Sequence, residues 1–450
     1  MALTRKLHRK VAVAAVALLG ALAAVSSGSA AGPPFPLRDA TLVTGPPEAF
    51  HPGAGIADLD HGLVAGSTRY VHDDGLVWTE TFAPFLWSEH GSPTLFALPD
   101  YLSRVSSFYI PSGMTPNGSE VVGSVIFRRL LFTEPWAWTP TRGLEFLQLP
   151  EDENYGGGAV GVSNDGRLIA GTLAGRFVPS LAAVWRDRKL EVLPSSQPWS
   201  EVHAISGDGS TVVGASGPSF DSLQATRWVL GREQRLSTGD FDAQSSVALF
   251  VADNRVVFGT ATSSDGRTVL LRWDALGRVQ VLTPPDNLDV ARFSSIDSVG
   301  GAAGGALAQT TDCISAPDPA CDWAPFVWTQ QGGFTILPEN GLEQTYDRST
   351  VNDVSDGGRV AVGELAISVR SDMSPRQVGF AWSAASGLVL VNDPVARIGQ
   401  SDPDYWTADR VSGNGGRVLV TGNPPVAVHD TQSIILDLTP VWAGTAPASP

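Results

Sequence analysis

Seven tryptophans, Trp87, Trp138, Trp185, Trp228, Trp273, Trp328 and Trp382, recur about every 49 residues, each following a glycine that closes a short apolar run. The partner glycines are Gly66, Gly123, Gly171, Gly214, Gly259, Gly304 and Gly363, and an eighth copy runs from Gly422 to Leu436 without a Trp. Four copies share one spacing: Gly171 to Trp185, Gly214 to Trp228, Gly259 to Trp273 and Gly422 to Leu436. A fixed period of this length restricts the chain to a repeat architecture, in which one supersecondary unit is copied and each copy buries its apolar surface on its neighbours.

The copy from Val202 to Leu236 shows what one unit is. Val202 to Ser206 and Ser210 to Gly214 are two β-prone runs joined by Gly207-Asp208-Gly209, a step that tolerates the positive φ of a tight hairpin. The turn recurs as Asn117-Gly118, Asp165-Gly166, Asp356-Gly357 and Asn414-Gly415, and degenerates to His61-Gly62 and Asp253-Asn254. A third run carries the Trp and a fourth carries spaced leucines, as in Leu190 to Leu193. Four short strands with apolar residues on both faces describe a propeller blade, whose two faces are covered only when blades stack. The expected fold is therefore all-β: an eight-bladed β-propeller of four-stranded blades, with seven blades as the alternative count. The recurrent Trp is expected between adjacent blades. The last copy lacks a fourth strand and an unassigned run, Ala40 to Thr44, precedes the first, so an N-terminal strand is expected to complete the eighth blade and close the ring.

The first 30 residues read as a secretory signal: Arg5, Lys6, Arg9 and Lys10, then apolar Val11 to Val25, then Gly28-Ser29-Ala30. Residues 31–36 read as a linker, 37–440 as one propeller domain and 441–450 as a flexible tail. A secreted or periplasmic location follows, with no membrane span after cleavage. The full chain has a formal net charge of −16, and losing the signal makes it more negative still, which excludes nucleic acid as a partner class. The 48 Gly and 32 Pro fit a turn-rich β protein. Cys313 and Cys321, the two cysteines, bracket one insertion and are expected to form a disulfide in an oxidising compartment.

The combination Ile/Val-Ser-x-Asp/Asn-Gly, Val-Val-Gly and Ala-x-x-Trp resembles the extracellular HAF-repeat family over roughly residues 53 to 438. Phe85-Leu86-Trp87, Ala324-Pro325-Phe326-Val327-Trp328 and Phe380-Ala381-Trp382 match best. The His-Ala-Phe triplet is nowhere complete: its His position holds Ala83, Glu134, Leu181, Gln224, Val269, Ala324, Val378 and Gln432. The resemblance implies a secreted β-propeller and transfers no catalytic residue.

No Ser-His-Asp arrangement, phosphate loop or zinc motif is present, so no catalytic, cofactor or metal residue is assigned. The glycine-to-Trp interval widens in copies one, six and seven, which places insertions on the rim that also carries the blade connections. Tyr101, Tyr155, Trp199, Tyr346, Tyr405 and Trp406 fall among these segments beside acidic residues, forming a candidate ligand-contact rim for carbohydrate, peptide or a surface protein. A binding or scaffold module, monomeric, is the leading expectation. The rival is a hydrolase or lyase, which would require Asp, Glu, Arg or His side chains converging at the central channel.

Overall fold

The computed structural model describes residues 37–43, 50–73, 78–98, 105–127, 132–151, 155–175, 178–285, 288–308, 323–337, 349–367, 376–391, 405–422 and 432–438. The expected signal segment, Cys313, Cys321, Tyr101 and Tyr346 lie outside them. Among the described residues no helix is long and apolar enough to cross a membrane.

The chain is all-β, and consecutive strands pair antiparallel in sets of four. Units three, four, five and six are separate four-stranded sheets whose first strands are Tyr155–Val162, Trp199–Ile205, Ala243–Val251 and Asp289–Ile296. Units one and two, opened by Phe50–Asp58 and Ser107–Met114, share one sheet through a short parallel contact of Thr81 and Phe82 with Ser107 and Phe108. Units seven and eight, opened by Thr350–Val354 and Tyr405–Val411, are joined in the same way. Three strands of unit eight come from the C-terminal part, and the fourth is Leu37–Val43, antiparallel to Gln432–Leu438.

The hairpin turns of units two, three, four and eight are built by one device. In unit four the Ser206 hydroxyl donates to Asp208 Oδ1 (2.7 Å) and accepts from the Thr211 amide (3.1 Å), while the Ser210 amide donates to Asp208 Oδ1 (2.9 Å). Ser163 with Asp165, Thr115 with Asn117 and Ser412 with Asn414 repeat it. The side chains satisfy turn amides that no strand can reach, and the following residue takes positive φ: Gly209 at +67° and, in unit five, Arg255 at the same value. The turns also bond to one another in order. Asn164 donates its amide to the Gly207 carbonyl (2.7 Å), Gly207 to Asp253 Oδ1 (3.2 Å), Asp253 to the Ser298 carbonyl (3.2 Å) and Gly357 to Asp297 Oδ2 (2.9 Å). Asp356 then donates to the Gly413 carbonyl (2.9 Å) and Gly413 to Asp60 Oδ2 (2.8 Å), which carries the belt from unit three through unit eight to unit one.

All seven landmark tryptophans are buried. Each packs against the preceding unit: Trp185 with Val122, Ala137 and Leu147, Trp228 with Ala170, Val184 and Leu193, and Trp273 with Val213, Ala225 and Leu236. Trp87 of unit one packs with Val43, Leu419 and Ile435 of unit eight. The indole N–H is satisfied across the same interface. Trp185 donates to the Gln148 carbonyl (2.7 Å), Trp228 to Pro194 (2.8 Å) and Trp273 to Ser237 (2.6 Å), each acceptor lying just after the last strand of the unit before. Burying about 150–250 Å² of indole per interface contributes roughly 4–6 kcal/mol of transfer free energy at 25 cal/mol per Å². Phe96 stacks on Trp138 at 4.0 Å between units one and two.

The partner glycines have a steric cause that corrects the sequence alignment of two copies. A Cβ on Gly171, Gly214, Gly259 or Gly363 would lie 1.9–2.1 Å from a carbonyl oxygen of the neighbouring first strand. In unit six the residue in that place is Gly305, 2.1 Å from the Arg292 oxygen, because Trp328 pairs with Ala303; Gly304 is one residue away. In unit eight Leu436 pairs with Val418, which places Val420, not Gly422, in the glycine position. Backbone pairing decides the equivalence, and a neighbouring glycine had hidden it in both copies.

Candidate functional site

The first strands of units one, five and six shift register twice and those of the other units once, and every unit has a β-bulge just ahead of its turn. The skipped residues are Gly55, Ser112, Val160, His203, Leu249, Ser294, Asn352 and Asp409. Bulges re-aim side chains and recur beside functional sites. From unit two onwards the bulged residue sits three positions before the residue that opens the turn, as Asn352 does before Ser355 and Asp409 before Ser412.

Three consecutive bulge residues carry polar side chains, and they meet in one cavity. About 470 Å³ in volume, it is lined by Arg292, Phe293, Ser294, Asn352, Glu364, Asp409, Arg410 and Leu419 from units six, seven and eight, within the size range of small-molecule sites. Arg292 Nη1 lies 3.7 Å from Glu364 Oε1. The Asn352 amide donates to the Ala408 carbonyl (3.2 Å), Thr407 donates to Asp409 Oδ1 (2.9 Å) and Arg410 Nη1 donates to the Asp409 carbonyl (2.9 Å). Asp353 accepts the Val411 amide (3.0 Å) and so fixes the eighth first strand against the seventh.

Burial raises the Glu364 carboxyl above its ordinary value; Arg292 opposes the shift and the nearby Asp409 charge adds to it. Asp409 is raised by burial as well, against hydrogen bonds from Thr421 and Thr407 and the charge of Arg410. Two guanidinium groups, two carboxyls that hold protons above their usual range, and an amide thus line one space. Such a set can bind an anionic group and exchange hydrogen bonds with hydroxyls or amides. Among the described residues no group of His, Cys, Asp and Glu is arranged to hold a metal ion.

A second cavity lies on the turn side between units one and eight, lined by Asp60, His61, Glu89, His90, Ser412, Asn414, Leu59 and Arg417. Arg417 spans it, 2.9 Å from Glu89 and 3.1 Å from Asp437, so this space is the seam between chain ends.

Of the six expected rim residues, Tyr101 and Tyr346 lie outside the described residues. Tyr155, Trp199 and Tyr405 are the opening residues of first strands rather than parts of the connections, and Tyr155 and Trp199 are half-buried. Trp406 is 1 % exposed and packed inside, which removes it from any surface contact set. Sequence reasoning missed Arg292, Asn352, Glu364, Asp409 and Arg410. Their signal was positional: Asn352 and Asp409 stand at the third place before a turn residue already recognised, and Arg292 two places before the corresponding Ser294.

No protein-family model and no curated protein matches the chain. Similar solved structures are β-propeller proteins and enzymes. The β-propeller domain of the Trilobed protease from Pyrococcus furiosus is 10% identical with a TM-score of 0.45, over 74% of this chain and 93% of that one. An acylaminoacyl peptidase from Pyrococcus horikoshii is 11% identical with a TM-score of 0.44; the match covers 84% of this chain and only 58% of the peptidase. An oligogalacturonate lyase in complex with manganese is 11% identical with a TM-score of 0.42, over 84% and 97%. Similarity at this level concerns chain path alone.

Proposed function

We propose that the protein is an exported eight-bladed β-propeller, closed by its N-terminal strand, that serves as a binding module for a polar extracellular ligand in its central channel. The ring is supported by the eight four-stranded units, the Leu37–Val43 pairing and the contact of Trp87 with unit eight. Export, the Cys313–Cys321 disulfide and membership of the HAF-repeat family rest on the sequence alone. One observation carries the binding reading: the bulges of three successive units turn Ser294, Asn352 and Asp409 into one cavity with Arg292, Glu364 and Arg410. The ligand class that fits joins an anionic group to hydroxyls or amides. Isothermal titration with glucuronate, galacturonate and acetylated acidic dipeptides is expected to detect binding that Arg292→Ala and Asn352→Ala each weaken at least 10-fold. Silence across the panel, or undiminished binding by both variants, would defeat the assignment.

A hydrolase or lyase at the same cavity is the second reading, favoured by the raised Glu364 carboxyl beside Asp409, since a carboxyl that stays protonated can act as a general acid. Under that reading acidic polysaccharide is cleaved by the wild type, and Glu364→Gln abolishes cleavage while retaining binding.

A further inference from the structure

Unit four carries a second constellation, away from the cavity of units six to eight. Along its first strand, even residues turn to unit three: the Ser200 hydroxyl accepts the Ala182 amide (2.9 Å), and Val202 packs in the unit three–unit four core. The period-two alternation therefore turns Trp199 and Glu201 the other way, and the bulge at His203 keeps the imidazole with them. His203 Nε2 lies 3.0 Å from Glu201 Oε1. All three residues are half-buried. Phe220, on the loop between the second and third strands, meets Trp199 at 6.4 Å between ring centroids with planes 67° apart, and is itself 65% exposed.

Such a corner is unusual here. The landmark tryptophans are fully packed, whereas among the described residues Trp199 and Trp323 remain half-buried. Two aromatic rings at a steep angle, one largely open to water, offer an apolar L-shaped surface. A carboxylate held by an imidazole lies one alternation along the strand, where it can accept hydrogen bonds from hydroxyls. We propose that Trp199, Phe220, Glu201 and His203 form a saccharide subsite, in which a pyranose ring rests its C–H face on the aromatic corner and its hydroxyls bond to Glu201 and His203. The negative net charge of the chain favours a neutral sugar over a uronate. The subsite shares no residue with the channel cavity and stands or falls separately from it.

Tryptophan fluorescence reads this site directly, because the deeply buried indoles respond little to an added ligand. Cellohexaose, chitohexaose and maltohexaose are titrated into the mature protein, and at least one is expected to shift emission and protect against acrylamide quenching. Trp199→Phe should remove the fluorescence response, Phe220→Ala should weaken binding about 10-fold by calorimetry, and Glu201→Gln should weaken it several-fold, with melting midpoints near the wild type. If no hexasaccharide binds, or if Phe220→Ala and Glu201→Gln bind as the wild type does, the subsite is refuted. Loss of uronate or dipeptide binding in the channel leaves this result unaffected, so the two assignments fail independently.

Discussion

At the residue scale the repeat is written in two contacts, one repulsive and one attractive. Gly214 is required because any Cβ would meet the Glu201 carbonyl oxygen at 1.9 Å, and a carbonyl in a paired strand cannot swing away. Gly214→Ala is therefore expected to cost about 2–3 kcal/mol in urea unfolding, the usual scale of overpacking. Trp228 is required by shape and by its N–H. Trp228→Phe keeps most of the apolar surface but leaves the Pro194 carbonyl without its donor, and should cost about 1–2 kcal/mol. Unfolding midpoints unchanged within error would show that neither contact matters. The same scale explains why the candidate site was illegible in sequence. Asn352 and Asp409 look like ordinary turn-proximal polar residues until the bulge sets their direction, and Glu364 comes from a different strand.

At the element scale units three to six leave both their first and their outer strands as sheet edges, whereas the first strands of units two and eight pair briefly with the unit before. Outer strands such as Lys189–Val192 are short and mostly exposed, a common protection for a sheet edge. Unit eight alone is completed from the far end of the chain by Leu37–Val43, which buries Val43 to 1% exposure. Deleting Leu37–Val43 is expected to lower the melting midpoint by at least about 5 °C, given the 2–4 °C per kcal/mol typical of larger domains. An unchanged melt would show that the eighth unit is stable without its fourth strand. This pairing was legible in sequence because a repeat short of one strand and a spare strand at the other terminus have one economical solution. The register of units six and eight was not, since Gly304 stands beside Gly305 and Gly422 lies near Val420.

At the scale of the whole molecule, polar side chains are distributed unevenly among the bulges of the first strands. Units three and five present Val160 and Leu249 at their bulges, while units two, four, six, seven and eight present Ser112, His203, Ser294, Asn352 and Asp409. The carboxyls gathered in the cavity oppose folding when ionised. Glu364 has a folded pKa above its unfolded value, so its favourable contribution is complete below the ordinary carboxylate range and disappears as pH rises through the folded value. Glu364→Gln is thus expected to raise the melting midpoint at pH 7 and to change little at pH near 3. A midpoint lowered at pH 7 would mean that the ion pair with Arg292 outweighs burial. Asp208 behaves oppositely: burial would raise it, but hydrogen bonds from Ser206 and Ser210 and contact with Arg255 prevail and lower it. Its contribution is present above the ordinary carboxylate value and is lost as pH falls.

The sequence by itself determined the all-β repeat, the four-strand composition of its units, the positive-φ turns and the buried face of each Trp, because these follow from local periodicity and from one side chain's need for cover. Only the tertiary structure decided which polar residues share a space. Convergence of Arg292, Asn352, Glu364 and Asp409 depends on the bulge ahead of each turn and on the stacking of three units. Residues about 60 positions apart approach through that geometry, and no short-range pattern in the chain encodes the distance between them.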